Sequence, residues 1–150
     1  MLGQALSKAL PAKGYHLIIL TRKKPAGILN PESGIEYTEW NIKEQIIDRD
    51  AVAKSDFIIH LAGASVAEKR WTAERKKEIE DSRVISSALL VKALKEIPNK
   101  IKAVISASAI GWYGTDSLSK GEGRGEGFVE TDPPAHDFLG QTCRLWEESI

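Results

Sequence analysis

The 150-residue sequence has only one cysteine, Cys143, so no disulfide can form within the chain. It has no excess charge of either sign, because 21 Lys and Arg residues balance 21 Asp and Glu residues. A general nucleic-acid-binding protein would need an excess of basic residues. No apolar run approaches the roughly 20 residues that a membrane-spanning helix requires, and no secretion signal opens the chain. We therefore expect a cytoplasmic protein with neither a nucleic-acid nor a membrane partner.

Patterns that mark common catalytic centres are also missing. His16, His60, His136 and Cys143 are scattered along the chain without the close pairings that a zinc site requires. No G-x-S-x-G elbow and no P-loop occurs. The glycine-rich run "GEGRGEG" at residues 121–127 follows loop and leads into no helix, so we interpret it as a surface loop. The sequence argues against a metal site, a serine hydrolase and a P-loop protein.

Alternating strands and helices dominate what is present. Apolar, β-branched segments predict four strands, at residues 16–21, 35–40, 57–63 and 102–108, the second of them an edge strand. Helical spacing predicts helices that start at Leu2, within residues 41–56, after Thr72 as a cap, and near Asp137. The third should stop at Pro98, the last should still run at Ile150, and residues 116–134 should be loop. This order predicts one α/β domain with a parallel sheet covered on both faces.

Two strand ends carry residues suited to a nucleotide. Thr21, Arg22 and Lys23 follow the first strand. A fold that uses NAD usually places an acidic residue there, whereas basic residues suit the 2′-phosphate of NADP. The alternative is a solvated basic turn. Ala62 and Gly63 end the third strand and are small enough for a flat ligand to lie against the backbone, although a tight turn would need the same residues.

Six segments together resemble a known family: "GQALSKAL", "LTRKK", "HLAGAS", "RWTAERKKEIEDSRV", "VISASAIGWYG" and "FVETDPP...FLGQTCRLWE". They look like the atypical short-chain dehydrogenase/reductase group called epimerase family protein, which is related to the nucleotide-sugar epimerases. The similarity runs over essentially all 150 residues. It implies a Rossmann-like doubly wound parallel sheet, NADP bound in preference to NAD, and an oxidoreductase or epimerase-like activity on an unknown small molecule. The cofactor contacts it implies are Gly3, Thr21, Arg22, Lys23, Leu61, Ala62 and Gly63.

The chain departs from the family pattern at both ends. Met1, Leu2 and Gly3 match only the end of the family's glycine-rich turn, and the first strand and the two earlier glycines are absent. The sheet should then be incomplete, and its unpaired edges could drive self-association. The family's C-terminal substrate-binding lobe is absent as well. We therefore expect residues 1–150 to be a partial NAD(P)-binding domain.

The resemblance also implies catalytic residues, and the chain departs from the pattern of short-chain dehydrogenases at these positions too. Ser108 falls at the serine position of short-chain dehydrogenases, with Ser106 as the alternative. Leu139 and Cys143 stand where the extended short-chain dehydrogenases have a tyrosine and a lysine, and no tyrosine in the chain has a lysine four residues later. The resemblance implies the same absence, since the atypical group lacks that pair. We expect Cys143 to be a packed core thiol on an apolar helical stripe with Leu139, Trp146 and Ile150.

Three functional interpretations follow. The first is an NADP-dependent oxidoreductase whose proton donor is unassigned among Tyr113, His136 and Asp137. In this interpretation Trp112 and Tyr113 shape the substrate pocket. The second is a non-catalytic NADP-binding sensor or interaction protein, favoured by the missing tyrosine and lysine. The third is a truncated fragment without function.

Overall fold

The computed structural model describes residues 2–23, 34–114 and 128–150, and these form a mixed α/β structure. The elements run α1 (Leu2–Ala12), β1 (Leu17–Thr21), β2 (Ile35–Asn41), β3 (Ile46–Ile47), α2 (Arg49–Lys54), β4 (Phe57–His60), α3 (Ala73–Glu96), β5 (Ala103–Ser106), a 3-10 turn (Ile110–Tyr113) and α4 (Phe138–Glu148). The predicted α/β class is confirmed, although the strands are shorter than predicted at several ends. Most of the predicted loop at 116–134 lies outside the described residues.

The strands form two sheets. β1 runs parallel to β2, with Leu17 opposite Ile35 and Thr21 opposite Glu39. β3 pairs antiparallel with the end of β2, and β4 pairs with β5 in a separate two-stranded sheet. Within the described ranges no ladder joins the two sheets. Self-association through the unpaired edges stays a prediction.

The segment after β2 corrects two predictions. We expected a short helix through Ile42, Ile46 and Val52. Instead, the Asn41 side chain accepts hydrogen bonds from the N–H groups of Lys43 and Glu44, at 3.1 and 3.2 Å. Gln45 then takes a left-handed conformation, with φ at 56°. This turn reverses the chain so that β3 pairs back onto β2, and β2 is therefore not an edge strand along its whole length.

Helix α2 begins only at Arg49, because its cap is Asp48. The Asp48 carboxylate accepts a hydrogen bond from the Ala51 N–H at 3.0 Å and another from the Thr38 hydroxyl on β2. These two bonds lower the pKa of Asp48, since both stabilise the ionised carboxylate. One side chain thus caps the helix and ties it to the sheet.

Three further helix boundaries agree with the sequence signals. The Thr72 hydroxyl accepts the N–H of Arg75 at 3.2 Å and caps α3, as predicted. Asp137 caps α4 by accepting the N–H of Gly140 at 2.8 Å. Gly14 follows α1 with φ at 84°, a conformation that favours glycine. None of the helices in the described ranges is long and apolar enough to cross a membrane.

The described residues divide into two compact units, Met1–Leu61 with Leu89–Val104, and Ala62–Ala88 with Ile105–Ile150. The core of the first unit comprises Val52, Ala93 and Ile97, against which Ile47, Ala53 and Leu94 pack. His60 is also buried there, with its ring edge-on to Trp40 at a centroid distance of 6.2 Å.

The second unit buries Ile79 of α3 completely and, on α4, Cys143 and Trp146. Ile150 does not extend the predicted apolar stripe, because α4 ends at Glu148 and Ile150 is 40% exposed. The prediction that this helix still runs at Ile150 was therefore wrong. The Ser149 N–H and hydroxyl both donate to the Trp146 carbonyl and close the last turn.

Helix α3 offers a matched test of its core face. Ile79 is fully buried, whereas Ile85 on the same helix is 38% exposed. We expect Ile79→Ala to lower the free energy of unfolding by about 2–5 kcal/mol through lost burial and a cavity. Ile85→Ala, with the same change in helix propensity, should cost clearly less. Urea unfolding of both variants measures the difference, and equal losses would contradict the assigned face.

Buried His60 predicts an acid-sensitive first unit. Burial lowers the pKa of His60, so the unfolded chain takes up a proton at a pH at which the native ring stays neutral. Stability should therefore fall as the pH drops below about 6.5. We expect His60→Gln to reduce this pH dependence in denaturant unfolding, with exposed His16→Gln as the control. An unchanged slope in His60→Gln would refute the assignment.

Candidate functional site

The end of β1 presents two exposed basic side chains. The Thr21 hydroxyl donates to the Lys23 carbonyl at 3.2 Å and closes a turn from which Arg22 and Lys23 extend into solvent. In the same unit, Gly3 lies exposed in the first turn of α1, and a Cβ added there would meet Leu61 Cδ1 at 4.0 Å. The structure thus brings Gly3 and Leu61 together, both of them predicted cofactor contacts.

These residues fit a dinucleotide that carries an additional phosphate. A guanidinium and an ammonium at one turn form the donor set that a phosphate monoester requires. Gly3 leaves the N-terminal turn of α1 without a side chain on that face, where backbone N–H groups favour anions. The exposed guanidinium and ammonium groups directly after β1 are therefore compatible with NADP.

In the second unit, helix α3 holds the loop that follows β4. The Ala64 N–H donates to the Ser82 hydroxyl at 2.8 Å, and Arg83 Nη1 donates to the Ala64 carbonyl at 3.1 Å. A Cβ on Gly63 would lie 3.0 Å from Arg83 Cζ, so the absence of a side chain there admits the guanidinium. Predicted residues Ala62 and Gly63 thus lie in a loop whose backbone is fixed by two neighbours on α3.

Sequence reasoning did not assign a role to Ser82 or Arg83. They belong to the segment "RWTAERKKEIEDSRV", which carried only the family resemblance. Arg75, at the start of the same helix, is buried and donates to the Ser65 carbonyl and to Glu78. Nothing in the sequence distinguishes Arg75 from the exposed Lys76 and Lys77 beside it, so its burial was not predictable.

The two candidate serines at the end of β5 have different environments. Ser106 is partly buried, and its hydroxyl donates to the adjacent Ala107 carbonyl at 3.3 Å. Ser108 is exposed, and its hydroxyl donates to the Glu147 carboxylate on α4. Glu147 was not among the predicted site residues, although it lies one helical turn after Cys143.

Leu139 and Cys143 pack against the 3-10 turn. A Cβ on Gly111 would lie 3.1 Å from Leu139 Cβ and 3.6 Å from Cys143 Sγ. The Cys143 thiol donates to the Ala109 carbonyl at 3.7 Å and is 4% exposed, so it is a packed thiol as predicted. Its pKa is raised, first by burial and then by the negative charge of Glu147.

The two aromatic residues near the end of "VISASAIGWYG" donate hydrogen bonds to backbone carbonyl groups. The Tyr113 hydroxyl donates to the Val129 carbonyl at 3.3 Å, and its ring stacks on Phe128 at 4.6 Å. Trp112 Nε1 donates to the Asp132 carbonyl at 2.8 Å. These contacts suit the predicted role of the two rings as a wall.

The other candidate proton donors have different surroundings. Asp137 is the cap of α4, whereas His136 is exposed beside it. Across residues 2–23, 34–114 and 128–150, no group of three or more His, Cys, Asp or Glu side chains is placed to hold a metal ion.

Most of the sequence matches a family model. Residues 1–136 match the model described as the NAD dependent epimerase/dehydratase family. This chain belongs to that family. The resemblance seen in the sequence motifs is thereby confirmed, and so is the Rossmann-like fold class.

Curated members of the epimerase/dehydratase family resemble the chain along most of its length. An epimerase family protein of Mycobacterium leprae is 31% identical over 147 residues, which cover 98% of this chain and 43% of that protein. The epimerase family protein YfhF of Bacillus subtilis is 32% identical over 148 residues, 98% of this chain and 45% of its own length. The chain therefore spans less than half the length of these relatives.

Solved structures of the family share the fold. The human epimerase family protein SDR39U1 (isoform 2), solved with NADPH, superposes with a TM-score of 0.73 at 23% identity, covering 99% of this chain and 45% of that one. A UDP-glucuronic acid 4-epimerase from Bacillus cereus, solved with NAD, gives 0.68 at 19% identity, covering 99% and 47%. At these identities the likeness shows the fold.

The Cys143 thiol gives a test of the site's electrostatics. Because burial and Glu147 raise its pKa, we expect slow alkylation by iodoacetamide, with a pH midpoint above that of a free thiol at about 8.5. Glu147→Gln removes a negative charge and should move the midpoint downward. Glu148→Gln is the matched control, since Glu148 pairs with Arg144 at 2.8 Å.

The same shift sets the sign of a stability effect. Above about pH 8.5 the unfolded thiol ionises while the native one does not, so stability should decline there as the pH rises. For the alkylation experiment, a pH midpoint that is identical in wild type and Glu147→Gln would contradict the placement of the Glu147 carboxylate beside the thiol.

Proposed function

We propose that this member of the epimerase/dehydratase family binds NADP in preference to NAD and acts as an oxidoreductase on a small molecule. The observation that carries the proposal is the pair of exposed cations, Arg22 and Lys23, directly after β1. Guanidinium and ammonium groups favour the 2′-phosphate that distinguishes NADP from NAD. The NADPH found with the human relative supports the same preference.

The remaining predicted contacts take complementary roles in this proposal. Gly3 and Leu61 lie together in the first unit and would border the dinucleotide, as Thr21 would beside the two cations. Ala62 and Gly63 would line the cofactor cleft through their backbone, in a loop that α3 holds at Ala64. Residues 1–150 would thus supply much of an NAD(P)-binding domain, in a protein working in the cytoplasm, where the free thiol of Cys143 would persist.

Ser108 is the substrate-orienting residue in this proposal. Its exposed hydroxyl can reach a ligand, whereas that of Ser106 is partly buried and bonded to its own neighbour. When bound, the nicotinamide supplies the hydride chemistry. Ser108 then holds the substrate oxygen, while Trp112 and Tyr113 form an aromatic wall. The Tyr113 hydroxyl donates to a backbone carbonyl, so we assign it to the wall rather than to proton transfer.

A second candidate is an NADP-binding sensor without turnover. It is favoured by Leu139 and Cys143, which stand where related enzymes carry a tyrosine and a lysine, and by burial of the Cys143 thiol. A leucine transfers no proton, and a buried thiol with a raised pKa stays neutral. On this candidate the protein binds NADPH tightly and reduces nothing.

Hydride transfer separates the two candidates. The full chain loaded with NADPH is mixed with a panel of aldehydes and ketones while nicotinamide absorbance is followed. We expect turnover of at least one carbonyl compound, and its loss in Ser108→Ala with NADPH affinity unchanged. NADPH binding with no turnover across the panel would support the sensor.

The cofactor preference is tested at Arg22. We expect Arg22→Ala to weaken NADPH binding about tenfold or more while leaving NADH binding nearly unchanged, because only NADPH carries the 2′-phosphate. Lys92→Ala, which removes an exposed cation on α3, is the control and should alter neither affinity. Isothermal titration measures both ligands. Equal wild-type affinity for NADH and NADPH would remove the role given to Arg22.

A further inference from the structure

We propose that Ser108 and Glu147 form a proton-transfer pair, which makes Glu147 the proton acceptor of the reaction and an alcohol its preferred substrate class. The proposal rests on the proposed oxidoreductase function and deepens it. Its starting observation is the hydrogen bond from the Ser108 hydroxyl to the Glu147 carboxylate, between the end of β5 and α4.

The pair is open to a ligand. Both side chains belong to exposed residues of the second unit, and they approach each other across 39 positions of sequence. Glu148, the neighbour of Glu147, is paired instead with Arg144 at 2.8 Å. The two adjacent carboxylates on α4 therefore have different partners, and of the two it is Glu147 that accepts the hydrogen bond from Ser108.

The direction of the hydrogen bond decides which ligand fits. A serine hydroxyl has one proton and two lone pairs, whereas an ionised carboxylate only accepts. Because the proton of Ser108 is given to Glu147, the oxygen of Ser108 faces a ligand as an acceptor. While Glu147 is ionised, this acceptor is complementary to a substrate hydroxyl, which donates. A ketone oxygen also accepts, so it is bound only when Glu147 carries the proton and Ser108 donates to the ligand.

The transfer balances in the oxidation direction. The alcohol O–H bond breaks and its proton passes to Ser108 Oγ, while the original Ser108 proton passes to Glu147 Oε1. The C–H bond breaks as the hydride leaves with its two electrons for the oxidised nicotinamide, and the substrate carbon forms a C=O bond. Glu147, now a carboxylic acid, returns its proton to water. The reverse sequence reduces a ketone.

The groups around the pair support this use of Glu147 rather than Cys143. The Arg83 guanidinium lies over the Trp146 ring, 5.0 Å from its centroid. Trp146 immediately precedes Glu147 on α4. The Cys143 thiol donates to the Ala109 carbonyl and is buried, so it offers no accessible base. Among Leu139, Cys143 and Glu147, spaced one turn apart along one helix, only Glu147 carries an exposed ionisable group.

Two variants of Glu147 separate proton transfer from structure. Glu147→Gln keeps an oxygen that accepts the Ser108 hydrogen bond but takes up no proton, whereas Glu147→Ala loses both. We measure oxidation of matched secondary alcohols, from 2-butanol to cyclohexanol, with NADP⁺, and reduction of the corresponding ketones with NADPH. Both variants should lose about 100-fold or more in turnover, and Glu148→Gln should behave as wild type. Turnover by Glu147→Gln at the wild-type rate would overturn the proposal.

A second readout is independent of activity. A double-mutant cycle on urea unfolding combines Ser108→Ala with each Glu147 variant. We expect coupling between Ser108 and the wild-type Glu147 that Glu147→Gln largely retains and Glu147→Ala abolishes. Zero coupling in wild type would overturn the pair even if the protein is an active oxidoreductase. Measurable coupling without turnover of any alcohol or ketone would instead refute the proposed function, and proton transfer with it.

Discussion

The candidate site of the second unit depends on the hydrogen bonds by which helix α3 fixes the loop after β4. Ser82 and Arg83 bind the backbone of Ala64, and Arg75 binds the carbonyl of Ser65. Ala62, Gly63 and Ala64 of this loop have no side chain that could fix the loop's own conformation. Its path is therefore set by polar side chains of a helix that Ile79 anchors in the core.

Helix α4 plays the matching part for the serine strand. Its apolar side, with Leu139 and Cys143, packs on the glycine of the 3-10 turn, and this contact fixes where the helix lies. The polar residue of the next turn, Glu147, is thereby brought to Ser108. Gly111 permits this close packing, because a Cβ there would lie 3.1 Å from Leu139 Cβ and would push α4 outward by a few tenths of an ångström. Packing by residues that do no chemistry thus positions the residues proposed to do it.

The sequence predicts the class of fold well and its local reversals poorly. Continuous apolar strands, the cap at Thr72 and the helix start near Asp137 are local signals, and the structure confirms them. The hairpin at residues 41–47 was mistaken for helix because Ile42, Ile46 and Val52 satisfy a helical spacing. The competing signal was Asn41, whose side chain accepts two backbone N–H groups and starts a turn.

Long-range side-chain pairing explains why part of the site could not be predicted. Ser108 at the end of β5 was recognisable from the family pattern. Its partner, Glu147, lies 39 residues further along the chain, on a helix in which the pattern draws attention only to Leu139 and Cys143. Comparing residues position by position directs attention to the tyrosine and lysine that are missing. It does not reveal a polar residue one turn further along.

The replacement of that tyrosine and lysine changes the demands on the serine. The pattern of short-chain dehydrogenases in general implies that a tyrosine passes the proton, that a lysine lowers the pKa of the tyrosine, and that the serine polarises the substrate oxygen. Here the corresponding helix positions hold an alkyl chain and a buried thiol, both committed to packing against the 3-10 turn. In the proposed reaction the proton travels through an exposed polar group nearby, and the hydrogen bond from Ser108 leads to Glu147. On this proposal the proton acceptor lies on the same helix, one or two turns beyond those positions, and it is a carboxylate where the related enzymes have an ammonium.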